Sequence, residues 1–207
     1  MIKCENVSLN IKGKEIFDNL SFYINKPQMV AITGVSGSGK TSLLNCLGLI
    51  KEISSGRILI DGKDCTHLSE KEKISFWKDK AAFIFQDYGI LDEESVIYNI
   101  TFSDKKSDRQ KAENFLKQVG LSSKVNSLAS TLSGGEKQRL GIARALYKKA
   151  KFLFADEPTA SLDEKNRELI LRLLRDCSEK GIFVILATHD EKLSKSCDMV
   201  ISMREIT

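Results

Sequence analysis

Paired cysteines are missing from this chain. Its five, Cys4, Cys46, Cys65, Cys177 and Cys197, are odd in number and show no C-x-x-C or Cys/His ligand spacing. That argues against a disulfide framework or a zinc scaffold and for reduced, mostly inert small hydrophobes. Long apolar runs are missing too. No uncharged stretch approaches the roughly 18 to 20 residues that a membrane-spanning helix needs, and the N-terminal "MIKCENVSLN" reads as a strand instead of a signal segment. Any membrane role must therefore come through a partner. A strong charge of one sign is also absent: 32 basic and 28 acidic residues are dispersed among one another, for a net charge of +4. Such a balance gives no electrostatic footprint for nucleic acid, and no nucleic-acid partner is expected. There is no internal repeat, low-complexity tract or flexible linker. What remains is the composition of an ordinary globular protein of 207 residues, 42% hydrophobic and 29% charged, long enough to bury a substantial core.

The first quarter alternates apolar and polar residues in "IKCENVSLNI", "NLSFYI" and "MVAITG", with Gly13, Asn25 and Pro27 supplying turns. This predicts strands with tight connections, followed by another strand in "GRILIDG". "SEKEKISFWKDK" predicts a helix capped by Ser69, and "AAFIF" a strand after it. From about residue 87 to 135 the sequence is more polar and helical, with "DRQKAENFLKQVG" closing at Gly120. Then "KFLFADEP" and "GIFVILATHD" read as strands of a parallel sheet buried on both faces, bridged by the amphipathic helix "EKNRELILRLLRDCSEKG".

Two constellations carry chemistry. Gly34, Val35, Ser36, Gly37, Ser38, Gly39, Lys40 and Thr41, "GVSGSGKT", fit G-x-x-x-x-G-K-[ST] between a strand and a helix, and Ser42 follows. Successive backbone N–H groups and the positive end of the helix suit phosphate oxygens. Lys40 adds a point charge for the terminal phosphates, and Thr41 a hydroxyl for Mg2+. The second constellation is Asp156 and Glu157, at the carboxyl end of a buried strand stopped by Pro158. One acid can hold a magnesium ion against phosphate oxygens while the other orients or deprotonates a water. Taken alone, the acids also fit a solvated strand end.

"LSGGEKQRLGIARAL", Leu132 to Leu146, is similar to the signature sequence of the ATP-binding-cassette (ABC) ATPases, and the resemblance runs over essentially the whole chain with the motifs in the family's order. It implies an α/β P-loop NTPase fold of ABC type. That fold has a mainly parallel core sheet, an N-terminal antiparallel β subdomain and a helical insertion, in one nucleotide-binding domain spanning 1–207. It further implies that two such domains pair face to face. Each ATP then lies between one chain's phosphate loop and the other's Ser133, Gly134, Gly135 and Glu136. Gln86 resembles the family's glutamine loop, which contacts Mg2+ and the attacking water and hinges the insertion. "SLD", Ser161 to Asp163, resembles the loop at the dimer seam, and His189 the switch histidine at the γ-phosphate. By the same resemblance Glu157 acts as general base or water orienter. His67 has no such counterpart and is expected at the surface.

The chain departs from the family's pattern in places. Ile11 stands where an aromatic residue usually stacks on adenine, with Phe17 a candidate to compensate. Glu136 replaces the commoner glutamine of the signature. "FIFQDYGILDEESVIYNI" and "FADEPTASLD" resemble the lipoprotein-releasing and macrolide-export subgroup, which includes exporters of peptides and bacteriocins. That implies a separate integral membrane permease as partner and a place on the cytoplasmic face of the membrane. Its docking groove would lie near Gln86, with Tyr88, Ile90, Leu91 and Val96 either lining it or packing inside the insertion. The alternative is a soluble ABC ATPase of DNA maintenance or another non-transport role. Such proteins usually carry coiled-coil inserts, zinc cysteines or tandem cassettes, and this sequence has none.

Overall fold

The computed structural model describes residues 1–160 and 162–203. Ser161, the first residue of the expected seam loop, lies outside the described residues. β1 (Ile2–Ile11) and β2 (Lys14–Ile24) form a hairpin turned at Lys12 and Gly13, whose φ values of 51° and 82° match the twist of the flanking strands. Inward-facing residues along β1 run Ile2, Cys4, Val7, Leu9, so the alternation slips by one residue between Cys4 and Val7. A bulge at Asn6, with φ 50°, absorbs the slip. β4 (Ser55–Ile60) pairs with the other edge of β1, and β5 (Lys63–Asp64) completes an antiparallel sheet of order β2-β1-β4-β5.

The second sheet contains β3 (Met29–Thr33), β6 (Ala81–Ile84), β7 (Phe152–Asp156), β8 (Phe183–Ala187) and β9 (Met199–Ser202), in the order β6-β7-β8-β3-β9. Every strand pair in it is parallel. β7 and β8 are buried along their whole length, which explains their near-continuous apolar sequence. Alternate residues feed two cores. Val30, Ile32, Phe152 and Phe154 face α1 (Lys40–Leu47) and the antiparallel sheet, whereas Met29, Ala31, Leu153 and Ala155 face the other helices.

α2 (Glu70–Asp79) begins with the expected capping box, in which Ser69 and Glu72 satisfy each other's backbone N–H groups. Between β6 and the long α5 (Gly134–Lys148) come α3 (Val96–Thr101), α4 (Lys106–Gln118) and two 3-10 turns. Ile97, Leu116 and Leu121 of this segment join the core cluster that contains Leu140 and Leu153, so the segment shares packing with the parallel sheet. α6 (Glu164–Glu179) crosses from β7 to β8 and ends before Gly181, whose φ of 90° suits a glycine. α7 (Glu191–Lys195) precedes β9. Among the described residues no helix is long and apolar enough to cross a membrane. Burial pushes the thiols of Cys4, Cys46, Cys177 and Cys197 up to about 12, consistent with inert hydrophobes. His67 is exposed, as expected.

Candidate functional site

Parallel strands put their carboxyl ends on one edge of the sheet, where open α/β sheets bind ligands. Here the neighbouring strands β6, β7, β8 and β3 are followed respectively by Gln86, Glu157, His189 and the Gly34–Thr41 loop. Register aligns them, since Ile84 pairs with Ala155, Asp156 with Ala187, and Ala187 with Ile32. Residues widely separated in sequence thus meet along one edge.

The loop after β3 depends on its glycines for different reasons. Gly34 has φ 154°, and a Cβ there would lie 2.5 Å from Ser38 Oγ. Gly39, with φ 91°, is the N-cap of α1 and supplies no side-chain cap, so the first amides of α1 keep no side-chain acceptor. Lys40 is only 8% exposed, and its Nζ donates to the carbonyls of Gly34 and Val35, both at 3.0 Å. The ammonium is held over the loop by two weak neutral acceptors. Ser38 Oγ is buried without a partner. An open helix N-terminus, an ammonium and an orphaned hydroxyl in one loop fit a polyphosphate.

Across the edge, Thr41 Oγ1 donates to Asp156 Oδ1 at 3.0 Å. Asp156 is 7% exposed, and burial raises its carboxyl above the ordinary carboxylate range, partly opposed by that hydrogen bond and by Lys40. A hydroxyl and an adjacent buried carboxylate, set beside a phosphate-type loop, are a donor set suited to a hard divalent cation such as Mg2+. Ser42, one residue on, is half-buried in the first turn of α1. Among the described residues no three His, Cys, Asp or Glu side chains are placed to hold a metal ion by themselves. A cation here would take much of its coordination from ligand oxygens.

Glu157 sits in the left-handed region at φ 46°, unusual for a residue with a Cβ, and its N–H donates to Ala187 O at 2.9 Å. This tight turn re-aims its side chain toward β8. There Thr188 Oγ1 donates to Glu157 Oε2 at 3.3 Å, and His189 Nδ1 lies 2.8 Å from Oε1. Glu157 is mostly shielded while the His189 side chain is 68% exposed, so the imidazole can carry the carboxylate's connection outward. Gln86 is exposed in the turn after β6 and makes no side-chain hydrogen bond among the described residues. Its loop is anchored from both sides. Arg144 donates to Phe83 O and Gly89 O, and the fully buried Asn99 pairs with the N–H and C=O of Leu91.

The "SGG" turn lies elsewhere on the chain. Ser133 is the N-cap of α5, its Oγ accepting from Glu136 N while Glu136 Oε2 accepts from Ser133 N. Those bonds, from the Ser133 N–H first, hold the Glu136 carboxyl below its ordinary range. Gly134 and Gly135 are closely approached, since a Cβ would meet Tyr88 Oη at 2.6 Å and Asn166 at 3.2 Å, so that either side chain would have to shift. Among the described residues no hydrogen bond links Ser133–Glu136 to the Gly34–Thr41 loop. The structure therefore brings together Lys40, Thr41, Asp156, Glu157 and His189 but leaves the second glycine turn apart.

The model of the family described as "ABC transporter" matches residues 17–160. The chain belongs to the ABC transporter family. This cassette is 37% identical over 99% of its length to the macrolide export ATP-binding/permease protein MacB of Campylobacter jejuni, and spans 33% of that longer protein. It is 32% identical over 99% of its length, and 94% of the relative, to the lipoprotein-releasing system ATP-binding protein LolD of Aquifex aeolicus. A dimeric post-hydrolysis structure of the ATP-binding cassette MJ0796 with ADP and Pi superimposes at a TM-score of 0.90, 29% identity, covering 99% of this chain and 94% of that one. The expected ABC-type fold is thus the one found, and the macrolide-export and lipoprotein-releasing subgroup is the right one.

One expectation needs correcting, and one open choice is narrowed. Phe17 is 3% exposed, packed beneath Gly39, so it has no free face to offer a base in place of an aromatic at Ile11, which is half-buried at the C-terminal end of β1. The groove beside the glutamine loop, about 520 Å³, is lined by Phe83, Phe85, Gly89, Phe102, Arg144 and Tyr147, among others, and not by Tyr88, Ile90, Leu91 or Val96. Val96 is wholly buried and Ile90 packs on the insertion's core, the second of the two expected placements, whereas Leu91 is exposed. Sequence order does not show that α3 turns Val96 inward and leaves Phe102 at its C-cap 55% exposed.

Proposed function

We propose that this cassette binds ATP at the Gly34–Ser42 loop, closes face to face with a second cassette, and hydrolyses ATP to drive a separate membrane permease. The observation that carries the reading is the carboxyl edge itself. There an open helix N-terminus and a buried ammonium stand next to two separately partnered acids, Thr41–Asp156 and Glu157–His189. In this reading the backbone amides of residues 34–39 and Lys40 bind the phosphates, and Ile11 offers the base an aliphatic contact. Thr41, Asp156 and Gln86 would hold Mg2+, which when bound neutralises phosphate charge. Glu157 accepts a proton from water as its oxygen attacks the γ-phosphorus. The bond to the β-phosphate oxygen breaks, and ADP and phosphate leave. His189 orients Glu157 and the γ-phosphate side of the site. Ser133, Gly134, Gly135 and Glu136 complete the partner cassette's site.

The export relatives support a peptide, lipoprotein or antimicrobial as cargo and a place beneath the membrane on its cytoplasmic face. The groove lined by Phe85, Phe102 and Arg144 is the surface we assign to the permease. The single-domain reading, with residues 87–135 as the helical insertion, belongs to the same proposal. The experiment is Glu157→Gln: hydrolysis should fall by about 100-fold or more while ATP binding is retained and ATP-dependent dimers accumulate. Steady-state turnover near that of the parent would remove Glu157 from the chemistry.

A further inference from the structure

Arg139 is an unusual arginine. It lies on α5 one turn past the glycine pair and is 9% exposed, yet its one hydrogen bond among the described residues is to a neutral amide. Nη1 donates to Asn166 Oδ1 at 3.0 Å, and Nε is buried without a partner. Burial pulls this guanidinium below its ordinary range, opposed by the Glu136 carboxylate. Asn166 is engaged on its other side as well. Its Nδ2 donates to Asp163 Oδ2 at 2.9 Å and its backbone N to Asp163 Oδ1 at 2.8 Å, so one acid caps α6 and holds the amide. The same side chain closes against Gly135, where a Cβ would stand 3.2 Å from Asn166 Cγ. Every polar atom of this amide group that the geometry engages thus joins the "SGG" turn to the start of α6.

We infer that Asn166 is a positioning residue that clasps the Ser133–Glu136 turn to Asp163, so that both segments meet a second cassette as one rigid unit. The inference rests on the proposed face-to-face dimer for its consequence, but not for the clasp itself. A side chain that only capped α6 would need Asp163 alone. The bond to Arg139 and the contact with Gly135 tie in a second element that is 27 residues away in sequence from Asn166 at Arg139. An amide suits the position because it accepts from the arginine and donates to the aspartate at once. A methyl group could do neither, and a carboxylate could do only the first.

The test uses the full chain carrying Glu157→Gln, with Asn166→Ala and Asn166→Asp added singly. Hydrogen exchange on the protein without nucleotide reads the clasp directly. Asn166→Ala should speed exchange together in Gly134–Arg139 and around Asp163. Asn166→Asp should leave Gly134–Arg139 close to the parent and loosen only the α6 end, because it keeps the acceptor for Arg139 and sets a like charge against Asp163. Acceleration confined to the α6 end in Asn166→Ala would overturn the clasp. With ATP and Mg2+, sedimentation of Asn166→Ala should show dimerisation weakened by at least about tenfold, with the monomer's affinity for ATP within about twofold of the parent. Unchanged dimerisation would overturn the functional role. Failure of the Glu157→Gln parent itself to dimerise would count against the proposed function, and the exchange data would still decide the clasp.

Discussion

Two glycine-rich turns open two helices in this protein, and they are finished in opposite ways. At α1 the N-cap is Gly39, with no side-chain bond to the helix, and the nearby ammonium and hydroxyl are held by carbonyls or by nothing. At α5 the N-cap is Ser133, and a complete capping box with Glu136 satisfies donors on both sides. Against a glycine at the N-cap, such as Gly39, a serine cap is worth only a few tenths of a kcal/mol, so leaving α1 open costs the fold little. The open end can take an anion by itself. The closed end has two of its donors, the Ser133 and Glu136 N–H groups, already committed to the box, and it carries a carboxylate whose charge opposes a phosphate. In the proposed dimer that asymmetry would give the two turns different tasks: the first binds, and the second completes the site a partner has filled.

Closing the open end should have the largest effect. Gly39→Val puts a branched side chain at φ 91°, with its Cβ 2.8 Å from Ile16 Cγ2. ATP affinity of the isolated chain should fall by at least about a hundredfold, some 2.7 kcal/mol, measured by calorimetry. An affinity within a few-fold of wild type would mean that the loop does not need its open geometry.

A smaller effect shows what the open edge costs in stability. Because the Asp156 carboxyl is raised by burial, the folded chain holds that proton more tightly than the unfolded chain does. The corresponding stability is present below the unfolded carboxylate value and is lost as pH rises through the folded one. At neutral pH the ionised acid is therefore a net burden. Asp156→Asn, which keeps an acceptor for Thr41, should melt higher than the parent at pH 7 without nucleotide, by about 2 to 4 °C. The gap should shrink as pH is lowered toward 4, roughly the ordinary carboxylate range. A variant that melts lower at pH 7 would show that Asp156 is a stabilising ion.

The smallest change sharpens the comparison at the closed end. Glu136→Gln keeps the acceptor for Ser133 N and removes the charge, so ATP-dependent dimers should tighten by about two- to fivefold at low salt and less at high salt. Weaker dimers would mean that the carboxylate itself is needed.

Much of this was legible in the sequence because it is local. The Gly34–Thr41 loop announces itself by a strand before it and a helix after it, and the S-x-x-E spacing from Ser133 to Glu136 writes out a cap. Strands β7 and β8 could be read from their unbroken apolar runs. The contact between Glu157 and His189 could not, since it depends on β7 pairing with β8 in one register and on a positive φ at a glutamate. Nor could the groove, whose walls come from α2, β6, α3 and α5, or the anchoring of the glutamine loop by Asn99 and Arg144. Asn166 had half a signal, since D-x-x-N at a helix start suggests a cap, but nothing in the order of residues brings Arg139 to it.

The division of labour between the two turns is tested most directly by mixing two defective chains. Lys40→Ala disables only the open end and Ser133→Glu only the closed end, so each homodimer should be inactive. In a mixed dimer, the intact open end of one chain meets the intact closed end of the other. Equal mixing should restore ATP hydrolysis to about a quarter of wild type, since half the dimers are mixed and each holds one complete site. Activity that stays at the level of the separate variants would place both turns in the same chain's site and contradict the account.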